Sequence, residues 1–306
     1  MKNVFYVILL CIIIVSCGKE NSADGGSKSS NVNHNANIHI TESTNLSSSS
    51  AALAAASRTE IPALKGQGNT FLVYSSQEIG VNLCIEWDNS KKSQRWTAYQ
   101  MTSSTNVKNW NRNNWDFEPF QPDPSLPVEY RTELQDYKDY QRYGCQRGHI
   151  CPSADRLSSK TANEQTFYLS NIQPQYAKFN TGVWEAMEAQ VRKWSPASDS
   201  RDTMFLCKGG TIDGDLFDVA GRMPIAKYFF MAVLIRNNKS GNGGYKAVAF
   251  WVEHLKEPQQ SGDLSKYAIS IDELEAKTGI DFFCNLPDDI EAAVESNYVP
   301  SVWGFK

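Results

Sequence analysis

Polar and apolar positions alternate from Val81 to Trp87, which predicts a strand. Arg95–Met101 reads as its hairpin partner across the polar Asp88–Lys92 turn. Four further short apolar runs predict strands at Phe167–Ser170, Thr203–Cys207, Tyr228–Arg236 and Tyr245–Trp251. Between Asn180 and Trp194 the pattern changes period. Trp184, Met187, Val191 and Trp194 recur at helical spacing. A second helix is predicted over Ile271–Lys277, with Ser270 as its cap and Gly279 as its stop. Asn106–Pro127 is rich in Asn, Asp and Pro and reads as loop. Strands outnumber helices and do not alternate with them regularly. The predicted class is α+β with an antiparallel sheet at its core.

The first sixty residues follow other rules. Lys2 precedes the apolar run Phe5–Val15, which is too short to span a bilayer as a helix. Ile14-Val15-Ser16-Cys17 resembles a bacterial lipobox. Residues 1–16 are therefore expected to be a lipoprotein signal peptide, with lipid on Cys17 anchoring the chain outside the cytoplasm, in the periplasm or on the cell surface. From Gly18 to Glu60 the chain is dominated by Ser, Asn and Ala. Such a stretch cannot offset its ordering entropy by burial, so residues 17–60 are expected to form a flexible tether. His34 and His39 lie in it and carry no evident chemistry. Residues 61–306 remain for one domain. A hydrophobic content of 41% with 21% charged residues suits an ordinary globular core and excludes a fibrous or multi-span membrane chain. The net charge of −4 excludes a histone-like basic protein but leaves room for a local basic patch.

Beyond Cys17 there are five cysteines, Cys84, Cys145, Cys151, Cys207 and Cys284. In an oxidising compartment the simplest expectation is two disulfides and one leftover thiol. The domain holds only two histidines, His149 and His254. His254 follows a strand beside charged residues and reads as a surface position. His149 stands in Gln146-Arg147-Gly148-His149, with Arg156 seven residues on. Nearby cations disfavour imidazolium and keep the ring available as a general base. Downstream, Asn180, Glu188 and Arg192 are separated by eight and four residues, near one helical stripe. An amide oxygen and a carboxylate there suit a hard cation such as Mg²⁺. The plainer alternative is an N-capping Asn beside an exposed Glu–Arg pair.

Together, Arg147-Gly148-His149, Ser170-Asn171-x-x-Pro174-Gln175 and an Asn180-opened helix bearing Glu188 and Arg192 resemble the DNA/RNA non-specific endonucleases of the ββα-metal, or His-Me finger, superfamily. The order and spacing match from Arg147 to Arg192, and a looser likeness runs from about Leu83 to Asp288. The resemblance implies an antiparallel core carrying a ββα-metal finger, and hydrolysis of DNA and RNA with little sequence preference. It implies His149 as general base and Asn180 as the direct protein ligand of hydrated Mg²⁺, with Mn²⁺ as a substitute ion. It further implies Glu188 holding water at the metal, Arg192 and Arg147 at the phosphate, Arg112 stabilising the transition state, and Asn171 supporting the site. Products would carry 5′-phosphates. One departure stands out: Gln146 occupies the place of a family Asp.

Two other readings compete. Cys145, His149 and Cys151 could hold zinc, although their spacing is not a usual zinc pattern. The chain could also be a non-catalytic surface lipoprotein that binds nucleic acid or glycan. No protein partner is evident, and Trp184 and Trp194 read as core rather than as platforms for bases.

Overall fold

The computed structural model describes residues 33–37, 50–197, 201–214, 216–220, 223–237, 244–296 and 298–305. The expected signal segment and Cys17 lie outside these. The strands are β1 Asn69–Ser76, β2 Gly80–Asp88, β3 Ser93–Met101, β4 Cys145–His149, β5 Ile172–Tyr176, β6 Thr203–Gly210, β7 Leu216–Ala220, β8 Met223–Ala226, β9 Tyr228–Arg236, β10 Tyr245–Glu253 and β11 Ala268–Ile269. The helices are α1 Ser50–Ala56, α2 Leu134–Tyr140, α3 Lys160–Glu164, α4 Glu185–Trp194, α5 Ile271–Thr278 and α6 Asp288–Glu295.

Seven strands form the central sheet in the order β1-β2-β3-β6-β9-β10-β11, and every neighbouring pair is antiparallel. The β2–β3 hairpin turns where the sequence predicts. Asp88 Oδ1 accepts from the Ser90 and Lys91 N–H groups, both at 2.9 Å, an Asx-type turn that replaces ladder bonds. The class is mixed α+β, as the excess of strands and their irregular order among the helices predicted.

Both faces of the sheet are covered, which is why β9 reads as an almost unbroken apolar run. Phe229, Met231 and Val233 face one way and pack in a layer with Trp184, Met187 and Val191. Phe230, Ala232 and Leu234 face the other way and pack with Leu274 of α5, Phe282 and Val294 of α6. Side chains of alternating parity thus feed two separate cores. Met187 and Val191 are fully buried, so truncating either to Ala would cost on the order of 2–4 kcal/mol. That burial fixes the rotation of α4 and so decides which of its residues face outward. At α5 the sequence signals hold in detail: Ser270 and Glu273 form a capping box, and Gly279 ends the helix at φ 65°.

Four expectations need correction. First, residues 17–60 are not wholly a tether. Asn37 is fully buried, donating to Ala56 O and Pro62 O at 3.0 Å and accepting from Leu64 N at 3.0 Å. Ala55 and Ala56 of α1 are buried against the sheet. Low complexity conceals such anchoring because a few Asn and Ala residues carry it. Second, Phe167–Ser170 is not a strand. Short 3₁₀ turns cover Gln165–Phe167 and Leu169–Asn171, and the strand begins at Ile172. Third, all five domain cysteines are buried free thiols, so the expected disulfides are not formed. They serve as small apolar core residues. Fourth, His254 is not on the surface but fully buried.

Candidate active site

Outside the central sheet, β4 and β5 make a two-stranded ribbon with His149 opposite Ile172 and Gln146 opposite Gln175. Gly148 lies where the Gln175 side chain crosses the ribbon, and a Cβ there would collide with it. Asn171 secures the chain just beyond His149: its side chain accepts from Cys151 N at 2.9 Å and donates to Cys151 O at 2.9 Å and Thr166 O at 2.8 Å. From β5 the chain enters a wide π-type turn, Phe179–Trp184, broken by non-helical backbone at Gly182, and continues as α4. The helical stripe read from spacing is therefore not one regular helix. Trp184 Nε1 donates to His149 O at 3.3 Å and ties this turn to β4. The result is a strand–strand–helix unit docked on the sheet.

One cleft of about 210 Å³ is lined by Arg112, His149, Asn180, Glu188 and Arg192, among others. Five of the seven side chains to which the resemblance gives a site role thus meet in one place. Arg147 lines the adjoining cleft, which shares Asn180. There its guanidinium lies 4.0 Å from the centre of the Phe120 ring and 3.1 Å from Glu118.

His149 is wedged between Phe167 and Phe120, with ring centres 4.9 Å and 5.2 Å away. Its Nε2 has no hydrogen-bond partner. Burial, with Arg112 and Arg147 adding to it, pushes the imidazole pKa down to about 3. The ring is therefore neutral at ordinary pH. The second cation is Arg112 rather than Arg156. Arg156 is fully buried and donates to Asn82 O, Asp155 O and Gln100 O at 3.1, 2.8 and 2.8 Å.

Asn180 does not cap a helix. Its Nδ2 donates to Gln146 Oε1 at 2.9 Å, which leaves Oδ1 for the cleft. Arg192 Nη1 lies 3.1 Å from Asp155 Oδ1 and 3.8 Å from Glu188 Oε2. Asp155 also accepts from Tyr99 OH at 2.8 Å. Burial lifts Glu188 to about 7, against the pull of Lys208 and Arg192. Lys208 comes from β6 and is fully buried, and its Nζ has no hydrogen-bond partner. Sequence reasoning missed Tyr99, Asp155 and Lys208 as parts of the site. Lys208 had a signal: it continues the Met204, Leu206 parity that faces the site, so a charge there must be buried. Cys145 and Cys151 are core thiols and do not gather with His149 into a ligand set.

The unit has two hard oxygen donors, the Asn180 amide and the Glu188 carboxylate, beside a neutral imidazole and two guanidiniums. That set fits a hydrated divalent cation and a phosphate. A model of the DNA/RNA non-specific endonucleases matches residues 69–289. The chain belongs to that family. This endonuclease is accordingly a phosphodiester hydrolase, and its family is typically metal-dependent. It is similar to a nuclease of Nostoc sp., 30% identical over 217 residues that make up 69% of this chain and 74% of the relative. It is similar to a nuclease of Serratia marcescens, 27% identical over 226 residues, 72% of this chain and 80% of the relative. The match to the mitochondrial nuclease EXOG of Danio rerio is 26% identical and spans 59% of that protein. In fold, the endonuclease resembles a chain from the crystal structure of the EndoG/EndoGI complex, with a TM-score of 0.57 at 20% identity, over 72% of this chain and 89% of that one.

Proposed function

We propose that the endonuclease cleaves DNA and RNA with little sequence preference, using His149 as general base and Asn180 as ligand of Mg²⁺, for which Mn²⁺ can substitute. The observation that carries this reading is the unpartnered Nε2 of His149, a residue that lines the same cleft as Asn180. In the Nδ1-protonated tautomer, Nε2 holds a lone pair that no protein group uses. Water attacking phosphorus gives its proton to that nitrogen, the bond to the 3′ oxygen breaks, and that oxygen takes a proton from solvent. The products are a 5′-phosphate and a 3′-hydroxyl. Arg112 and Arg192 face the phosphate from the cleft, and Arg147 meets the adjoining strand through the neighbouring cleft. Asn180 Oδ1 would hold the cation and Glu188 would hold water at it; the ion would supply positive charge opposite the phosphate and the leaving oxygen.

Gln146 keeps one role that an Asp would have and loses another. Its Oε1 still fixes the Asn180 amide, but it brings no negative charge to the cation. Contacts made mainly to phosphates position the substrate without reading bases, so binding should weaken steeply with salt. The N-terminal pattern supports a lipid anchor on Cys17 that would hold the enzyme outside the cytoplasm.

Digestion of plasmid and of RNA tests the reading, with Mg²⁺, with EDTA, and in His149→Ala. Cleavage of both substrates that needs the metal and His149 is the expected result. Binding without cleavage across a range of divalent ions would overturn it and favour a purely binding protein.

A further inference from the structure

On the sheet face opposite the cleft, α5 and α6 bring carboxylates together. Asp272 and Glu275 stand three residues apart on α5, and Glu291 and Glu295 four apart on α6. One oxygen each from Asp272, Glu275 and Glu295 lies within 4.8 Å of the other two. Asp281, between the helices, and Glu291 both accept from Asn35 Nδ2, at 3.2 and 3.0 Å. Among the described residues, no Lys or Arg forms an ion pair with any of these five.

Glu295 is the decisive member. Its side chain is 5% exposed, and Oε1 has no hydrogen-bond partner. A buried carboxylate is normally paired, hydrogen-bonded or bound to metal. Glu188, on the other side of the sheet, has Lys208 and Arg192 beside it. Glu295 has only more carboxylates: burial, then Glu275, Glu291, Asp281 and Asp272, push its pKa up to about 10.

We infer that Asp272, Glu275 and Glu295 form a second, structural cation site, selective for Ca²⁺. All three donors are anionic oxygens. Ligands on opposite sides of Ca²⁺ are separated by about 5 Å, twice its bond length, whereas Mg²⁺ needs a tighter, regular octahedron. The donors grade from exposed Asp272 through half-buried Glu275 to buried Glu295, which gives the ion an entry route and room for water. The bound ion joins α5 to α6. Through Asp281 and Glu291 it also steadies the Asn35 contact, and with it the Asn33–Asn37 stretch.

Thermal melting and calorimetry of the full chain test this, with Ca²⁺ or Mg²⁺ added after EDTA treatment. The Asn180→Ala variant separates this site from the nuclease cleft. Ca²⁺ at about a hundredfold excess over its Kd should raise the melting temperature by roughly 5 °C. The rise should persist in Asn180→Ala, vanish in Glu295→Gln and in Asp272→Asn, and be larger than the rise with Mg²⁺. Glu295→Gln should melt close to the parent in EDTA, since without the ion the buried carboxyl already holds its proton near neutral pH, and should keep its Mg²⁺-dependent cleavage. Asp272→Asn, at an exposed position, serves if Glu295→Gln does not fold. No heat and no shift with Ca²⁺ would overturn the inference. So would a shift that survives in Asp272→Asn, or one that disappears in Asn180→Ala.

Discussion

His149 and His254 both sit against aromatic rings, and burial pulls both below the ordinary imidazole range, to about 3 and about 4. His254 stacks on Tyr176 at 4.2 Å and is edged by Phe179 and Phe229. Its Nε2 accepts from Tyr176 N at 2.7 Å, and its Nδ1 donates to Ala226 O at 2.8 Å. Both nitrogens are spent on holding β5 and β8 together. His149 has the same aromatic setting and an idle Nε2. A side chain used for structure exhausts its hydrogen-bonding capacity, whereas one kept for chemistry holds some in reserve. The reserve is unfavourable for stability, since an unsatisfied buried group costs about 1–3 kcal/mol.

Crossed substitutions give the largest effects and the sharpest way to break this comparison. His149→Ala should lower kcat by about 10²–10⁴, the usual worth of a general base, with a melting temperature close to the parent's. His254→Phe should do the reverse. It keeps the stacking but strands Tyr176 N–H and Ala226 C=O, a loss of about 2–5 kcal/mol. Melting should fall by roughly 5–15 °C, while folded enzyme keeps its kcat. If His254→Phe abolished turnover in folded protein, the division between the two histidines would fail.

Lys208 extends the comparison to charge. Lys208→Met keeps an unbranched side chain, one atom shorter, but removes a cation that acts on Glu188 and leaves Arg192 beside it. Glu188 would then hold its proton to still higher pH. Cleavage at pH 7 should drop by about tenfold and recover in part at pH 9, as Glu188 ionises. A loss that is equal at both pH values would mean that Lys208 acts only in folding.

How much of this was legible beforehand follows from where each signal resides. The sheet was read well because β2 and β3 are local polar–apolar patterns joined by a polar turn, and β9 and β10 are short apolar runs of strand length. Helix α5 was read because its cap and stop are adjacent residues. The ribbon of β4 and β5 was not legible in the local pattern, and only the resemblance implied it. Both strands are short, Cys-Gln-Arg-Gly-His and Ile-Gln-Pro-Gln-Tyr, and their polar residues are there for the site rather than the core. The local pattern was also misleading at His254, whose neighbours in sequence are charged but whose neighbours in space are aromatic. Asn180, Glu188 and Arg192 were picked out by spacing and do share a cleft, though by way of a π turn and a break at Gly182 rather than one regular helix. Tyr99, Asp155 and Lys208 come from three separate segments and converge only through the fold.

Gln146 allows a smaller, graded test. Gln146→Asp keeps an acceptor for Asn180 Nδ2 and adds a negative charge beside the cation. The Mg²⁺ concentration for half-maximal activity should fall several-fold, as attraction at short range outweighs solvent screening. Gln146→Ala removes the acceptor and frees the Asn180 amide to rotate, so it should raise that concentration. If both variants bind Mg²⁺ like the parent, Gln146 does not position Asn180.

The smallest expected effect is a displacement along the pH axis. A histidine whose folded pKa is pushed down stays neutral as pH falls through 6.5 and takes up a proton only near its folded value. The acid limb of kcat/KM should therefore lie well below pH 6, in contrast to an exposed imidazole. The same shift makes stability fall with pH between about 6.5 and 3, because the unfolded chain binds the proton first. Arg147 helps to hold the value down across its contact with Phe120. Arg147→Gln should move the acid limb upward by a fraction of a pH unit, and Arg112→Gln should do the same, since each removes one cation and leaves the burial. Gln146→Asp should add to the displacement by placing an anion nearby. An acid limb at pH 6.5 that ignores all three substitutions would show that His149 is not held neutral by these cations, and would return it to the same class as an ordinary exposed histidine.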